Sequence, residues 1–328
     1  MTISDYYSDD EELYLVLLQP LVLKTIDEVR NWRLTCLFDN KSVGFVPTMG
    51  ALHNGHISLV NNSLNSNDRT IVSIFVNPSQ FAPTEDLDSY PKTFDQDLEI
   101  LSKLKSSYNN LITRVDAIFF PSVNEIYPSG IPLDVEKQQG AFVSVKGLSE
   151  QLEGKTRPNF FRGVSTVITK FFNIITPTNV YFGQKDIQQV LVIKKLIKDL
   201  IYPINLNVVP IQRDPETNLA LSSRNLYFDA KSRNFASIVY KSLNLIENLY
   251  KENNIKDCGI LKEKFSRFLK PHGDSELLKI DYISIADKEN LMELNEIDSN
   301  TGAIISCAIY IKNNQDGKFI RLIDNIIV

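Results

Sequence analysis

Apolar positions change rhythm once along this chain, near residue 211, and the change divides it in two. From residue 42 to about 210, short β-branched or aromatic runs alternate with segments of helical period, as parallel βαβ units require. The runs that predict strands are Ser42–Val46, Thr70–Val76, Ala117–Phe120, Asn179–Phe182 and Leu206–Pro210. Between them Ile57, Val60 and Leu64 recur at helical spacing, as do Phe94, Leu98, Leu101 and Leu104, and then Ile187, Val190 and Leu191. The polar stretch Ser106–Asn110 reads as a loop insertion.

After Arg213–Thr217 the order differs. Two helical patterns, roughly Asp229–Asn253 and Lys256–Phe268, precede three strand-like runs, Lys279–Ala286, Ala303–Ile311 and Phe319–Val328, the last pair joined through Asp316-Gly317. The reading is an α/β domain over residues 1–211, built on a doubly wound parallel sheet, and a smaller α+β domain over residues 212–328. Residues 1–21 stand outside both patterns as an extension of unassigned role.

Composition narrows the function. A length of 328 residues suits two domains, and 43% apolar content is ample for their cores. A net charge of −5 argues against a sequence-independent grip on nucleic acid. No run approaches the roughly 20 apolar residues of a membrane span, and Asp5, Asp9, Asp10, Glu11 and Glu12 give the start no basic leader. A soluble, cytoplasmic protein is expected. Cys36, Cys258 and Cys307 are far apart and contain no CxxC pair, so they read as reduced thiols.

Chemistry concentrates where the first strand run ends. Pro47-Thr48-Met49-Gly50-Ala51-Leu52-His53-Asn54-Gly55-His56 leads from that strand straight into a helical pattern. In an open parallel sheet, ligands lie beyond the carboxyl ends of the strands, where a helix N-terminus offers unpaired N–H groups to phosphate. Gly50 and Gly55 let the backbone approach a ligand, and His53 and His56 can donate to its oxygens. A single histidine in such a turn is more often a surface residue. Two of the chain's three, bracketing one glycine, favour function, while His272 in its Pro-His-Gly-Asp loop does not.

HxGH after a first strand resembles the signature of the nucleotidyltransferase superfamily. The longer string PTMGALHNGH, followed by FVNPSQFAPTEDLDSYPKTFDQDL, YFGQKDIQQ and LALSSRN, resembles the pantothenate synthetases in order and near spacing over Ser42–Tyr227. That resemblance implies a Rossmann-like domain under a C-terminal lid, commonly a homodimer, with ATP, (R)-pantoate and β-alanine as substrates and Mg2+ as the nucleotide's counter-ion. It implies a pantoyl-adenylate intermediate. Met49 to His56 would line the ATP site, His53 and His56 would face the phosphates, and His56 is the residue usually assigned as general acid.

The same resemblance implies further roles. Gln80 would contact pantoate and β-alanine, Asn77 and Gln189 pantoate, and Asp97 magnesium. Gly183, Gln184, Lys185 and Asp186 would meet the nucleotide, with Lys185 the phosphate cation and Asp186 either a ribose partner or a helix cap. Gln212 would join them, and Leu221, Ser222, Ser223 and Arg224 would fold over the triphosphate when the domains close on ATP. Departures from the family pattern are Leu221 for a common Met, Gln184 for Glu, Gln96 and Ile100 beside Asp97, and Phe160 for a frequent His, which leaves Arg157 with more of the charge. Two alternatives stay open: another HxGH nucleotidyltransferase, such as one making a dinucleotide or a CDP-alcohol, and a non-catalytic nucleotide-binding relative.

Overall fold

The computed structural model describes residues 19–82, 87–88, 90–273 and 277–328. Its larger domain is built on six parallel strands: β1 (Leu21–Leu23), β2 (Val43–Thr48), β3 (Arg69–Ile74), β6 (Ala117–Phe119), β7 (Asn179–Gly183) and β8 (Asn205–Val209). Their order across the sheet is β1-β6-β3-β2-β7-β8. From β2 the chain winds one way to β3 and β6, then returns to place β7 on the other side of β2. The carboxyl ends of β2 and β7 therefore flank the topological switch point, where open α/β sheets bind ligands. Both strands lead into the motifs singled out above.

Apolar side chains cover both faces of this sheet. Phe45, Ile71 and Phe119 point to one side, into a core shared with α4 (Phe160–Ile175) and α5 (Ile187–Asp199). Val46, Val72 and Ile118 point to the other, against α2 (Asn54–Leu64) and α3 (Phe94–Lys103). Alternation along β2, β3 and β6 thus feeds two cores, as strands buried on both faces must.

The structure departs from the sequence reading in four places. Ser106–Asn110 is no bare loop: β4 (Lys105–Tyr108) and β5 (Leu111–Arg114) pair antiparallel as a hairpin. Asn109 and Asn110 form its turn at φ 50° and 64°, the left-handed region asparagine tolerates. Leu21, assigned to the extension, pairs with Ala117 in the edge strand, while residues 1–18 lie outside the described ones. Helix α1 (Ile26–Phe38) is absent from the sequence reading, although Thr25 and Glu28 write a capping box in which each side chain accepts from the other's backbone N–H. Helix α4 is absent from it too, although Phe161, Val164, Ile168, Phe171 and Ile175 recur at helical spacing and eleven of its sixteen residues are buried.

The smaller domain holds helices α6 (Ala230–Ala236), α7 (Ile238–Lys251) and α8 (Cys258–Gly273) against an antiparallel sheet. Its strands β9 (Leu278–Ala286), β10 (Ile304–Lys312) and β11 (Phe319–Ile327) lie in the order β11-β10-β9. It is not an independent flap. Ala286, Leu291 and Ile304 extend the larger domain's core, and a buried ionic cluster joins the two. Arg321 on β11 makes paired bonds to Glu153, at 2.6 and 2.7 Å, and also meets Asp281 at 2.6 Å, while the Tyr282 hydroxyl donates to Glu153 at 2.9 Å.

Candidate active site

The turn after β2 is held by one carboxylate. Gly50 and Ala51 both take positive φ, 84° and 50°, a conformation costly for alanine. Asp97, 1% exposed on α3, offsets that cost by accepting the backbone N–H groups of Ala51 at 3.0 Å and Leu52 at 2.8 Å, and the Thr93 hydroxyl at 3.1 Å. A side chain on Gly50 would begin 3.0 Å from the same carboxylate.

The two histidines cap the helix that follows. His53 is the N-cap residue of α2, and its Nδ1 accepts the Gly55 N–H at 3.1 Å; the His53 N–H in turn reaches the His56 Nδ1 at 3.4 Å. The His53 ring lies so close over the first turn that a Cβ at Gly55 would sit 2.7 Å from it, which is why glycine is needed there. Because each Nδ1 accepts, each neutral ring carries its proton on Nε2. Burial, then the Lys185 charge, lowers the His53 pKa to about 4. Burial, then His53 and Lys185, lowers that of His56 to about 3. Both rings are neutral at pH 7, and each offers one N–H donor.

Opposite them stands the loop after β7. Lys185 has its Nζ 3.7 Å from the Asp186 carboxylate. Asp186 occupies the N-cap position of α5 but makes no capping hydrogen bond, so the simple cap reading of that residue is not the one seen. From the smaller domain, Leu221–Arg224 reaches the same space. Leu221 donates to the Gln212 carbonyl at 2.9 Å, and the Ser222 hydroxyl accepts from the Arg224 N–H at 3.3 Å, starting a short 3-10 turn.

Amides gather in the same cleft. Asn77 is 1% exposed, and its carboxamide is fully engaged: it donates to Gln80 at 3.1 Å and to the Gly163 carbonyl at 3.2 Å, and accepts from Tyr127 at 2.7 Å and Ser79 at 3.0 Å. It orients Gln80 rather than offering groups of its own. Arg157 lies 3.9 Å over the Phe160 ring and donates to the Gln80 carbonyl at 3.3 Å, so the aromatic at the frequent histidine position serves as a cation–π platform.

One cleft brings together Met49, His53, Gly55, His56, Asn77, Gln80, Gly183, Lys185, Asp186, Gln189, Gln212, Leu221, Ser222, Ser223 and Arg224. Six expected residues stand apart from its lining. Gly50, Ala51 and Leu52 shape the turn, and Asn54 opens α2 at the surface. Asp97 buttresses the turn with both oxygens. Gln184 turns to the smaller domain, donating to Asn325 at 3.2 Å. Tyr90, Arg157, Phe160 and Tyr227 also line the cleft. Tyr90 falls within a matched motif without an assigned role, whereas Asn325 has no local signal at all.

A His-x-Gly-His helix start at the switch point of a parallel sheet, faced by a lysine and a Ser-Ser-Arg turn, defines a nucleotide-binding α/β protein of the HxGH class. Comparison with known proteins narrows the class. The Pantoate-beta-alanine ligase family model matches residues 21–327. The pantoate–β-alanine ligase of Saccharomyces cerevisiae is 44% identical over 318 residues, covering 94% of this chain and 99% of that one. The pantothenate synthetase of Thermosipho africanus is 42% identical over 307 residues, with the same coverage. Among solved structures, a pantothenate synthetase from Thermus thermophilus superposes with a TM-score of 0.77 at 33% identity, over 93% of this chain and 98% of that one. A pantoate–β-alanine ligase from Francisella tularensis, complexed with beta-gamma ATP and β-alanine, does so with a TM-score of 0.67 at 34% identity, over 94% and 97%. The chain belongs to the pantoate–β-alanine ligase family, and it is a ligase.

Proposed function

We propose that this chain condenses (R)-pantoate with β-alanine at the expense of ATP, through pantoyl-adenylate, and that the cleft residues divide the work as follows. A pantoate carboxylate oxygen attacks the α-phosphorus of ATP, the bond to the bridging oxygen breaks, and pyrophosphate leaves. The β-alanine amine then attacks the acyl carbon, AMP leaves with the bonding pair, and the amine's proton passes to solvent. The observation that carries this reading is that His53, His56, Lys185 and the Ser222–Arg224 turn line one cleft together with Gln80 and Gln189.

Neutral imidazoles suit the first step as fixed donors. Charge builds on the α-phosphoryl group and on the departing pyrophosphate, and preorganised donors stabilise it without a proton leaving the ring. A ring with a pKa of about 3 is neutral at pH 7 and has no imidazolium proton to give before the nucleotide arrives, so His56 acts first as a donor. Lys185 and Arg224 supply cations to the triphosphate. Gln80 and Gln189 orient the pantoate carboxylate without forming an ion pair that would blunt it.

Magnesium enters this scheme with its nucleotide, as MgATP. The described residues contain no group of three His, Cys, Asp or Glu placed to hold a metal, and Asp97 already accepts three hydrogen bonds. A few phosphate oxygens and waters suffice for this cation. A cytoplasmic location is part of the same reading, supported by three buried free thiols, and no helix among the described residues is long and apolar enough to cross a membrane. So is a homodimer, which light scattering checks. The function itself is tested by AMP release: it should need pantoate and β-alanine together, and release with neither would remove the assignment.

A further inference from the structure

Two consecutive residues of β11 hold the phosphate side of the cleft from behind. Asn325 is 1% exposed, and every polar atom of its side chain is committed to the loop that carries Lys185. Its Nδ2 donates to the carbonyls of Gln184 at 2.9 Å and Lys185 at 3.0 Å, and its Oδ1 accepts from the Gln184 side chain at 3.2 Å. Its backbone N–H donates to the Asp324 carboxylate at 2.8 Å. Asp324, 2% exposed, makes paired bonds to Arg213 at 2.7 and 2.9 Å. Arg213 pairs in an antiparallel bridge with Ala220, directly before the Leu221–Arg224 turn, and donates to the Asn218 carbonyl at 3.1 Å. The Asp324–Asn325 step thus ties the loop bearing Lys185 and the turn bearing Arg224 to one rigid strand.

We propose that Asn325 is a positioning residue for adenylate formation, fixing the Lys185 backbone so that its ammonium meets the phosphates, with Asp324 fixing the Ser222–Arg224 turn through Arg213. The inference rests on the assignment of Lys185 to phosphate made above. The reason is geometric. A flexible lysine stabilises a transition state only when its Cα is held, and displacements of about 1 Å can cost on the order of a hundredfold in rate. An asparagine supplies two donors to adjacent carbonyls and one acceptor, a set that neither aspartate nor leucine of similar size reproduces. Gln184 is accounted for too: its side chain completes the clamp instead of meeting the nucleotide.

The test is a double-variant cycle read by pyrophosphate release from MgATP and pantoate in the full-length chain. Asn325→Ala should slow that release about tenfold or more, leave the apparent KM for pantoate near its original value, and keep a cooperative thermal transition. In a Lys185→Ala background the same change should cost less than about twofold, because the group it positions is gone. Losses that multiply would show that Asn325 does not act through Lys185, and the inference falls while the assignment of Lys185 stands. A Lys185→Ala variant as fast as the original would remove both. Should Asn325→Ala fail to fold, Asn325→Ser, which keeps one donor, carries the same cycle with the same two readings.

Discussion

The His53 N–H points at the Nδ1 of His56, 3.4 Å away, and the two rings lie with centroids 4.1 Å apart, tilted 34° to one another. Two imidazoles that close can both be charged only against their mutual repulsion and against burial. The first turn of α2 is therefore capped by a pair of rings that are neutral at pH 7, and the capping bonds leave the proton of each on Nε2.

The pair makes stability depend on pH in a defined sense. Each ring is held below its usual value of 6.5, so the native state binds fewer protons than the unfolded chain. The pair's contribution to stability is complete above about pH 6.5 and is lost as the pH falls from there through about 4 for His53 and about 3 for His56. Urea midpoints across this range should decline less steeply for a His53→Gln, His56→Gln variant. Asp116, raised to about 6 mainly by burial, acts in the opposite sense in both proteins, so their difference isolates the histidines. Equal slopes would contradict the neutral pair.

His56→Ala removes one fixed donor at a developing charge. Adenylation should slow by roughly a hundredfold or more, the usual loss for such a group. A variant within threefold of the original, measured by pyrophosphate release, returns His56 to a capping role alone.

Asp97→Asn should also be slow, for a structural reason. The amide keeps one acceptor oxygen and turns an NH2 toward backbone donors, releasing the strained Gly50–Ala51 turn. Raising magnesium should not restore the rate, and full recovery at high magnesium would make Asp97 a metal ligand after all.

Arg321→Met leaves the Glu153 carboxylate buried beside Tyr282 without its cation. Breaking a buried pair in this way costs roughly 3–5 kcal/mol, which denaturant unfolding would show as a lower midpoint at similar slope. An unchanged midpoint would mean that the two domains do not depend on this cluster.

Much of this was legible in the sequence, for reasons that can be named. Strands such as Thr70–Val76 are short β-branched runs between turn residues, and β3 lies within two residues of that range. The Rossmann-like sheet, the C-terminal antiparallel sheet and the family all followed from local patterns. Helix α4 is absent from the sequence reading although Phe161, Val164, Ile168, Phe171 and Ile175 write a helical period, and the hairpin at Lys105–Arg114 was not legible, because its polar residues hide a strand pair held by its turn. In the candidate site, contiguous motifs marked out His53, His56, Lys185 and Ser222–Arg224, which line one cleft. Asn325 lies 140 residues beyond the Lys185 carbonyl it binds, and no local spacing encodes such a contact. Asp97 was visible as an acid in the right motif, but which way its oxygens point is a tertiary fact.

Arg224→Ala bears on the turn from the smaller domain. That turn already faces the histidines: a Cβ at Gly55 would lie 3.8 Å from the Leu221 Cβ. Loss of one charge-assisted contact should weaken ATP binding about tenfold or more and leave the melting temperature nearly unchanged. Calorimetric titration with an ATP analogue that shows undiminished affinity would remove Arg224 from the site.

The central claim is a two-step reaction at one cleft, and a single-turnover experiment tests it most directly. Enzyme, MgATP and (R)-pantoate are mixed without β-alanine, pyrophosphate is quantified, and the protein is examined by native mass spectrometry. The account predicts about one pyrophosphate per active site and retained pantoyl-adenylate, which β-alanine then converts to pantothenate and AMP. Pyrophosphate that appears only after β-alanine is added, with no bound adenylate before it, would contradict the account.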